Sequence, residues 1–235
     1  MGASIQLERA GGTGDLPAVR QRLQEWRARG RRQVHEADSK HILAAAGLPV
    51  PLAGAQRTSV VKYCCDEAMH KSEFGFVQLR VDAADVQAVS DSMRQRASAA
   101  GLPGGVVLVE EMVTDGLLEW FVGCRSDSTF GPIVVLGIGG IYAELFGSPE
   151  IRLAPLTAEE AESAIRAHRA FAVIDGARGK PKADLAHFAA TVAAISQFYW
   201  DTHDLISELD MNPVIVRPAG EVPGVVIADA SITLR

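Results

Sequence analysis

From Val106 onward the chain carries a succession of short β-prone runs, and this limits its fold more than anything else in the sequence. Val106 to Met112, Leu117 to Cys124 and Ile133 to Ile138 are apolar stretches separated by turn residues. The C-terminus closes as a hairpin, with Ile206 to Val216 leading through Pro218 and Gly220 into Val225 to Leu234. Strands joined by such short connections pair antiparallel. Two earlier runs, Ser59 to Cys65 and Phe76 to Val81, are also strand candidates.

Helical periodicity fills the rest. Asp15 reads as an N-cap before Leu16, Val19, Leu23 and Trp26, and Gly30 stops that helix. Arginines 20, 22, 27 and 29 lie on its other face and read as a solvated face, with a partner-docking face as the sharper alternative. A second helix spans Glu36 to Ala46 and stops at Gly47. Asp82 opens a third, with Asp85 in the capping-box position and Val86, Val89 and Met93 as its stripe. Thr157 and Glu160 make another capping box. A long helix runs from about Ala183 to Thr202, with Leu185, Phe188, Val192, Ile195 and Tyr199 on one side. The expected class is therefore α+β, a mostly antiparallel sheet with flanking helices.

Composition excludes several functions. A net charge of -6 over 235 residues argues against nucleic-acid binding. No apolar run approaches the ~20 residues of a membrane span, and the N-terminus lacks the apolar core of a signal peptide. The three cysteines, Cys64, Cys65 and Cys124, have neither zinc nor disulfide spacing. They are expected to be free thiols in a reducing compartment, hence a cytoplasmic protein. The phosphate loop Gly-x-x-x-x-Gly-Lys-Ser/Thr is absent, and Gly137-x-Gly139-Gly140 lacks the third glycine of a dinucleotide fingerprint.

Three features carry candidate chemistry. Lys62 sits inside the apolar run Ser59-Val60-Val61-Lys62-Tyr63, so its charge must snorkel to water or reach an anion. His70 lies between polar neighbours in a loop ending at Gly75; it is either a surface histidine or a phosphoryl acceptor, since imidazole is a good nucleophile near neutral pH. Glu208, Asp210 and Asn212 alternate along one strand and so share a face, with Asp229 on the returning strand. That face is either solvated or an oxygen-ligand site suited to Mg²⁺.

Several ordered motifs then add a resemblance: Val60-Val61-Lys62, His70-Lys71-Ser72, Val107-Leu108-Val109-Glu110-Glu111-Met112-Val113, Asp127-x-x-Phe130-Gly131-Pro132, Gly137-x-Gly139-Gly140-Ile141-Tyr142, Arg152-Leu153-Ala154-Pro155-Leu156 and Glu208-Leu209-Asp210-Met211-Asn212-Pro213. From about Glu36 to the C-terminus the chain resembles the ATP-grasp (beta) part of the nucleoside-diphosphate-forming acyl-CoA synthetases, which include the ADP-forming acetate–CoA ligases and, more distantly, succinyl-CoA synthetase.

The resemblance implies an ATP-grasp fold of two lobes, a small one over 35–104 and a large one over 105–235, behind an N-terminal extension of 1–34. It implies that Lys62 contacts the phosphates of ATP or ADP and that Glu111, Met112 and Val113 form the hinge holding adenine, with Glu119 nearby. Asn212 and Asp229 would ligate Mg²⁺, with Asp210 a further candidate. Gly139, Gly140 and Arg152 would line the phosphate site. His70 would carry phosphate between two active sites, and a CoA-binding alpha subunit would complete an α2β2 assembly.

The sequence departs from the pattern in places. Only Leu52 to Ser59 separates the Pro49-Val50-Pro51 turn from the lysine strand, which predicts a shortened small lobe. Phe76 stands where a second glycine is usual, and Ser126 where an arginine is. A nucleotide-binding module without turnover, or an ATP-grasp carboxylate–amine ligase, are the alternatives.

Overall fold

The computed structural model describes residues 14–66, 75–139 and 148–235. Helix α1 (Leu16–Ala28) begins where expected, with the Asp15 carboxylate accepting from the Ala18 amide at 3.1 Å. It buries Val19, Leu23 and Trp26. Strand β1 (Gln33–Val34) and helix α2 (Glu36–Ala45) follow, and α2 ends before Gly47 at φ +82°. Arg20 reaches across to Asp204 with two hydrogen bonds, so α1 is not simply a solvated face on that side.

The middle of the chain forms β2 (Thr58–Cys64), β3 (Val77–Asp82), α3 (Val86–Ala99) and β4 (Val106–Glu111). The three strands make a small sheet in the order β3-β2-β4. Val61, Tyr63, Phe76, Val81, Met93 and Ala97 form its core against α3. The opposite face carries Val60, Lys62 and Cys64, because side chains alternate across a strand.

The remaining elements are β5 (Leu118–Asp127), β6 (Gly131–Ile138), β7 (Glu150–Leu153), α4 (Ala158–Ala167), α5 (Phe171–Ile174), α6 (Leu185–Thr202), β8 (Ile206–Val216), β9 (Val225–Ile227) and β10 (Ser231–Leu234). They build a large sheet in the order β1-β10-β8-β5-β6-β7, with β9 also on β8. Every strand pairing among the described residues is antiparallel. Helix α6 lays Phe188, Val192, Ile195 and Tyr199 against one face of this sheet, in the main core.

Two expectations need correction. The division at residue 104/105 is not where the sheets divide. Strand β4 pairs with β2 from Ser59 to Cys64, so the small sheet extends to Glu111. Strand β1 pairs with β10, and Ile42 and Leu43 of α2 lie in the main core. A β-prone run does not name its partner; β4 takes the small sheet because Val107 and Val109 complete the α3 core. The second correction concerns α3. Asp82 is the last residue of β3, and Asp85 stands at the N-cap without a side-chain hydrogen bond. Its backbone is already helical, at φ −96° and ψ −10°, so its carboxylate is not turned toward the free amides. The Thr157–Glu160 capping box, by contrast, is present with both bonds, at 3.2 and 2.8 Å.

Candidate active site

The site is built on the face of the large sheet that α6 leaves open. On β8, Leu209 and Met211 point into the core, so Glu208, Asp210 and Asn212 point the other way. Asp229, in the link between β9 and β10, joins them: its carbonyl accepts from the Asn212 amide at 3.2 Å. Burial first, and then the charges of Glu208 and Asp229, push the Asp210 carboxyl above the usual range. A cation placed here would relieve that repulsion. Among the described residues, no three carboxylate, histidine or cysteine groups already converge as a metal cage. Mg²⁺ does not require one, since it keeps waters and takes one or two protein carboxylates together with substrate phosphates. The donor set Asn212, Asp229 and Asp210 fits that chemistry.

Immediately before Asp229, the Ala228 carbonyl accepts from two buried ammonium groups, Lys40 at 2.6 Å and Lys62 at 2.8 Å. Both lysines are also paired with the same two buried carboxylates. Lys40 lies 2.7 Å from Glu36 and 2.7 Å from Glu110, while Lys62 lies 2.5 Å from Glu36 and 2.8 Å from Glu110. Burial opposes the charge on Lys62, but Glu36, Glu110 and Asp229 outweigh it and hold the ammonium well above its ordinary value. Lys62 therefore does not snorkel. It points from the small sheet toward α2 and the β9–β10 link, and ties the two lobes together beside the metal candidates.

Glu36, Lys40 and Glu110 were not singled out from the sequence. Glu36 and Lys40 are four apart on a helix, the spacing of any ordinary side-chain pair, and carry no motif. The available signal was alternation: Glu110 follows Val106 and Leu108 on the same face of β4, which is the face of Lys62.

The hinge residues meet in a cavity of about 500 Å³ between the lobes. Met112, Val113 and Thr114 line one side, Glu119 and Gly139 another, and Arg80 of β3 a third. Glu111 ends β4 just short of the cavity, with its amide donating to Leu52 at 2.8 Å. Gly139 is the junction between cavity and carboxylate face. Its amide donates to the Glu119 carbonyl at 3.0 Å, and a Cβ there would lie 2.6 Å from Asn212 Oδ1. Only glycine leaves Asn212 undisturbed at that point. Sequence reading missed Arg80, which carries no motif.

Arg152 is not brought to this site. It pairs with Val134, a core residue, so the pleat places it on the helix-covered face of the sheet. Its guanidinium closes on Glu150 at 2.9 Å. The expectation that Arg152 lines the phosphate site is corrected by this register. Phe76 is likewise turned away, packed on Tyr63 with ring centroids 5.1 Å apart. The Ser126 hydroxyl is taken up by Arg235 at 2.6 Å and Tyr199 at 3.1 Å. His70 and Gly140 lie outside the described residues. Cys64, Cys65 and Cys124 are all buried, and burial pushes the Cys124 thiol far up, so it is unreactive. No helix among the described residues is long and apolar enough to cross a membrane.

An interlobe cavity set between a strand hinge and a carboxylate-bearing sheet face is the arrangement of a nucleotide-dependent ligase of the grasp type. The chain belongs to the ATP-grasp domain family, which it matches over residues 25–234, and it groups there with the ADP-forming acyl-CoA ligases. It is 29% identical over 232 residues to the beta subunit of acetate–CoA ligase [ADP-forming] II of Pyrococcus furiosus, covering 91% of this chain and 96% of that one. It is 33% identical to acetate–CoA ligase [ADP-forming] I of Archaeoglobus fulgidus, a longer protein of which the match spans 26%. A solved structure of the dinucleotide-forming acetyl-coenzyme A synthetase 1 of Ca. Korarchaeum cryptofilum superposes with a TM-score of 0.78 at 27% identity, covering 92% of this chain and 100% of that one. That structure contains coenzyme A and Mg-AMPPCP, with its phosphohistidine segment pointing towards the nucleotide binding site.

Proposed function

We propose that this chain is the nucleotide-binding beta subunit of an ADP-forming acyl-CoA synthetase, catalysing acid + CoA + ATP = acyl-CoA + ADP + phosphate together with a CoA-binding alpha subunit in an α2β2 assembly. The observation that supports the reading is the position of Gly139, which lines the hinge cavity and lies so near Asn212 of the carboxylate face that a Cβ there would be 2.6 Å from its Oδ1. A nucleotide whose base lies at Met112 and Val113 would extend past Glu119 and Gly139 and bring its phosphates to Asn212, Asp210 and Asp229. Mg²⁺ held by those three would supply charge neutralisation of the phosphates. Lys62, whose ammonium lies at Ala228 and is paired with Glu36 and Glu110, stands on the small-lobe side of the same place.

Support for the acyl-CoA reading comes from the relatives, in particular the beta subunit matched along nearly its whole length. In this reading His70 takes phosphate at one centre and delivers it at the other. The chain, mixed with its alpha subunit and incubated with labelled ATP and Mg²⁺, is expected to acquire an alkali-stable, acid-labile label that is absent in His70→Ala. Undiminished labelling of that variant would remove the histidine from the mechanism. MgATP binding that survives Asn212→Ala combined with Asp229→Ala would remove the metal assignment.

A further inference from the structure

The β2–β3 pairing is interrupted. Ser59 faces Val81 and Val61 faces Gln78, so Leu79 and Arg80 together stand opposite Val60. This is a β-bulge, a device that turns a side chain out of the regular pleat and is often found beside active sites. Arg80 has φ +58°, in the left-handed region that side-chain-bearing residues seldom occupy. Among the described residues, the only other non-glycine with positive φ is Arg178, in a surface turn far along the chain. A bulge residue that enters this region usually carries no side chain. Here a long, permanently charged one is placed there, exposed, without an ion-pair partner among the described residues, on the wall of the interlobe cavity.

Its level in the sheet says which part of a ligand it would meet. Val81, the next residue, pairs with Ser59, which in turn pairs with Glu111, the first residue of the hinge. Lys62 lies three residues further along β2, about 10 Å from the hinge end. Arg80 is thus at the base end of the cavity, across from Met112 and Val113, and not at the phosphate end.

We infer that Arg80 is a base-stacking residue: its planar guanidinium lies over the face of the purine held at the Met112–Val113 hinge and closes the base pocket from the small lobe. A guanidinium is suited to this, being flat, weakly hydrated and attracted to π faces. The inference rests on the nucleotide-binding reading of the cavity and assigns it a specific contact that no motif in the sequence announces.

The test is calorimetric titration of the full chain with MgATP, using Arg80→Gly and Arg80→Lys. Glycine removes the plane and relaxes the backbone, so that variant is expected to unfold at or above the wild-type temperature while binding MgATP roughly three- to thirtyfold more weakly. Lysine keeps the charge and the reach but not the plane, and is expected to bind as weakly as glycine. Wild-type affinity in Arg80→Gly overturns the inference. Wild-type affinity in Arg80→Lys overturns it as well, because charge alone would then suffice, as for a phosphate contact. Should Arg80→Gly fold poorly, the lysine variant decides the matter by the same two outcomes. Absence of MgATP binding by the wild-type chain would overturn the underlying nucleotide reading itself.

Discussion

Gly139 occupies one of the tightest positions in the molecule. A methyl group there would approach Asn212 Oδ1 to 2.6 Å and the Trp120 carbonyl to 3.4 Å. The carbonyl belongs to a central strand and cannot yield, so Asn212 must. Gly139→Ala is therefore expected to leave the fold intact and to weaken MgATP binding about five- to 150-fold, the equivalent of the roughly 1–3 kcal/mol of an overpacked contact. Calorimetry with and without Mg²⁺ checks this; equal loss in both conditions would show that Asn212 is not the group disturbed. At the same scale, Lys62 shows what one sequence can and cannot disclose. Its position in an apolar run made the charge conspicuous but left open whether it snorkels to water or reaches an anion. Its partners were not, because Glu36 and Glu110 come from a helix and a strand on either side of it in sequence, and only the assembled lobes bring them within 2.8 Å.

At the scale of elements, the alternation of Glu208, Asp210 and Asn212 was readable because a strand has period two and β8 packs one face into the core. The same rule excluded Arg152, yet only after the register with Val134 was known. Pairing partners are a property of two strands, and one strand's sequence does not contain them. The hinge shows a further element-level tie. Arg217, just past β8, holds Asp115 of the hinge loop through two hydrogen bonds of 2.8 and 2.6 Å and also binds the Pro223 carbonyl. The hydrogen bond from Arg217 keeps the Asp115 carboxyl below its ordinary range. A carboxyl depressed in the folded state stabilises above its unfolded value, near ~4, and that contribution is lost as pH falls through the lower folded value. Asp115→Asn is thus expected to melt below wild type at pH 6, and the gap between the two should close as the pH approaches 3. A gap independent of pH would mean that the carboxylate charge plays no part.

At the scale of the whole molecule, the chain begins in the large lobe with α1, β1 and α2, leaves it to build the small one from β2 to β4, and returns at β5. The outgoing and returning segments lie side by side: Glu111 donates to Leu52 at 2.8 Å, Gly54 donates to Val109 at 2.9 Å, and Ala53 bridges Glu110. In the language of genes and grafts, the small lobe is an insert whose two ends already touch. It could be cut out between Pro51 and Thr114 and the gap closed by a few glycines, because the main core draws nothing from the excised stretch and only a small satellite cluster, Ala37, Ala44 and Val50 against Cys64 and Leu108, is broken. Lys40 would keep Glu36, 2.7 Å away, as its counter-ion. Such a minimal chain is expected to unfold cooperatively on heating and to have lost MgATP binding; a molten product would show that the insert is needed for its host to fold.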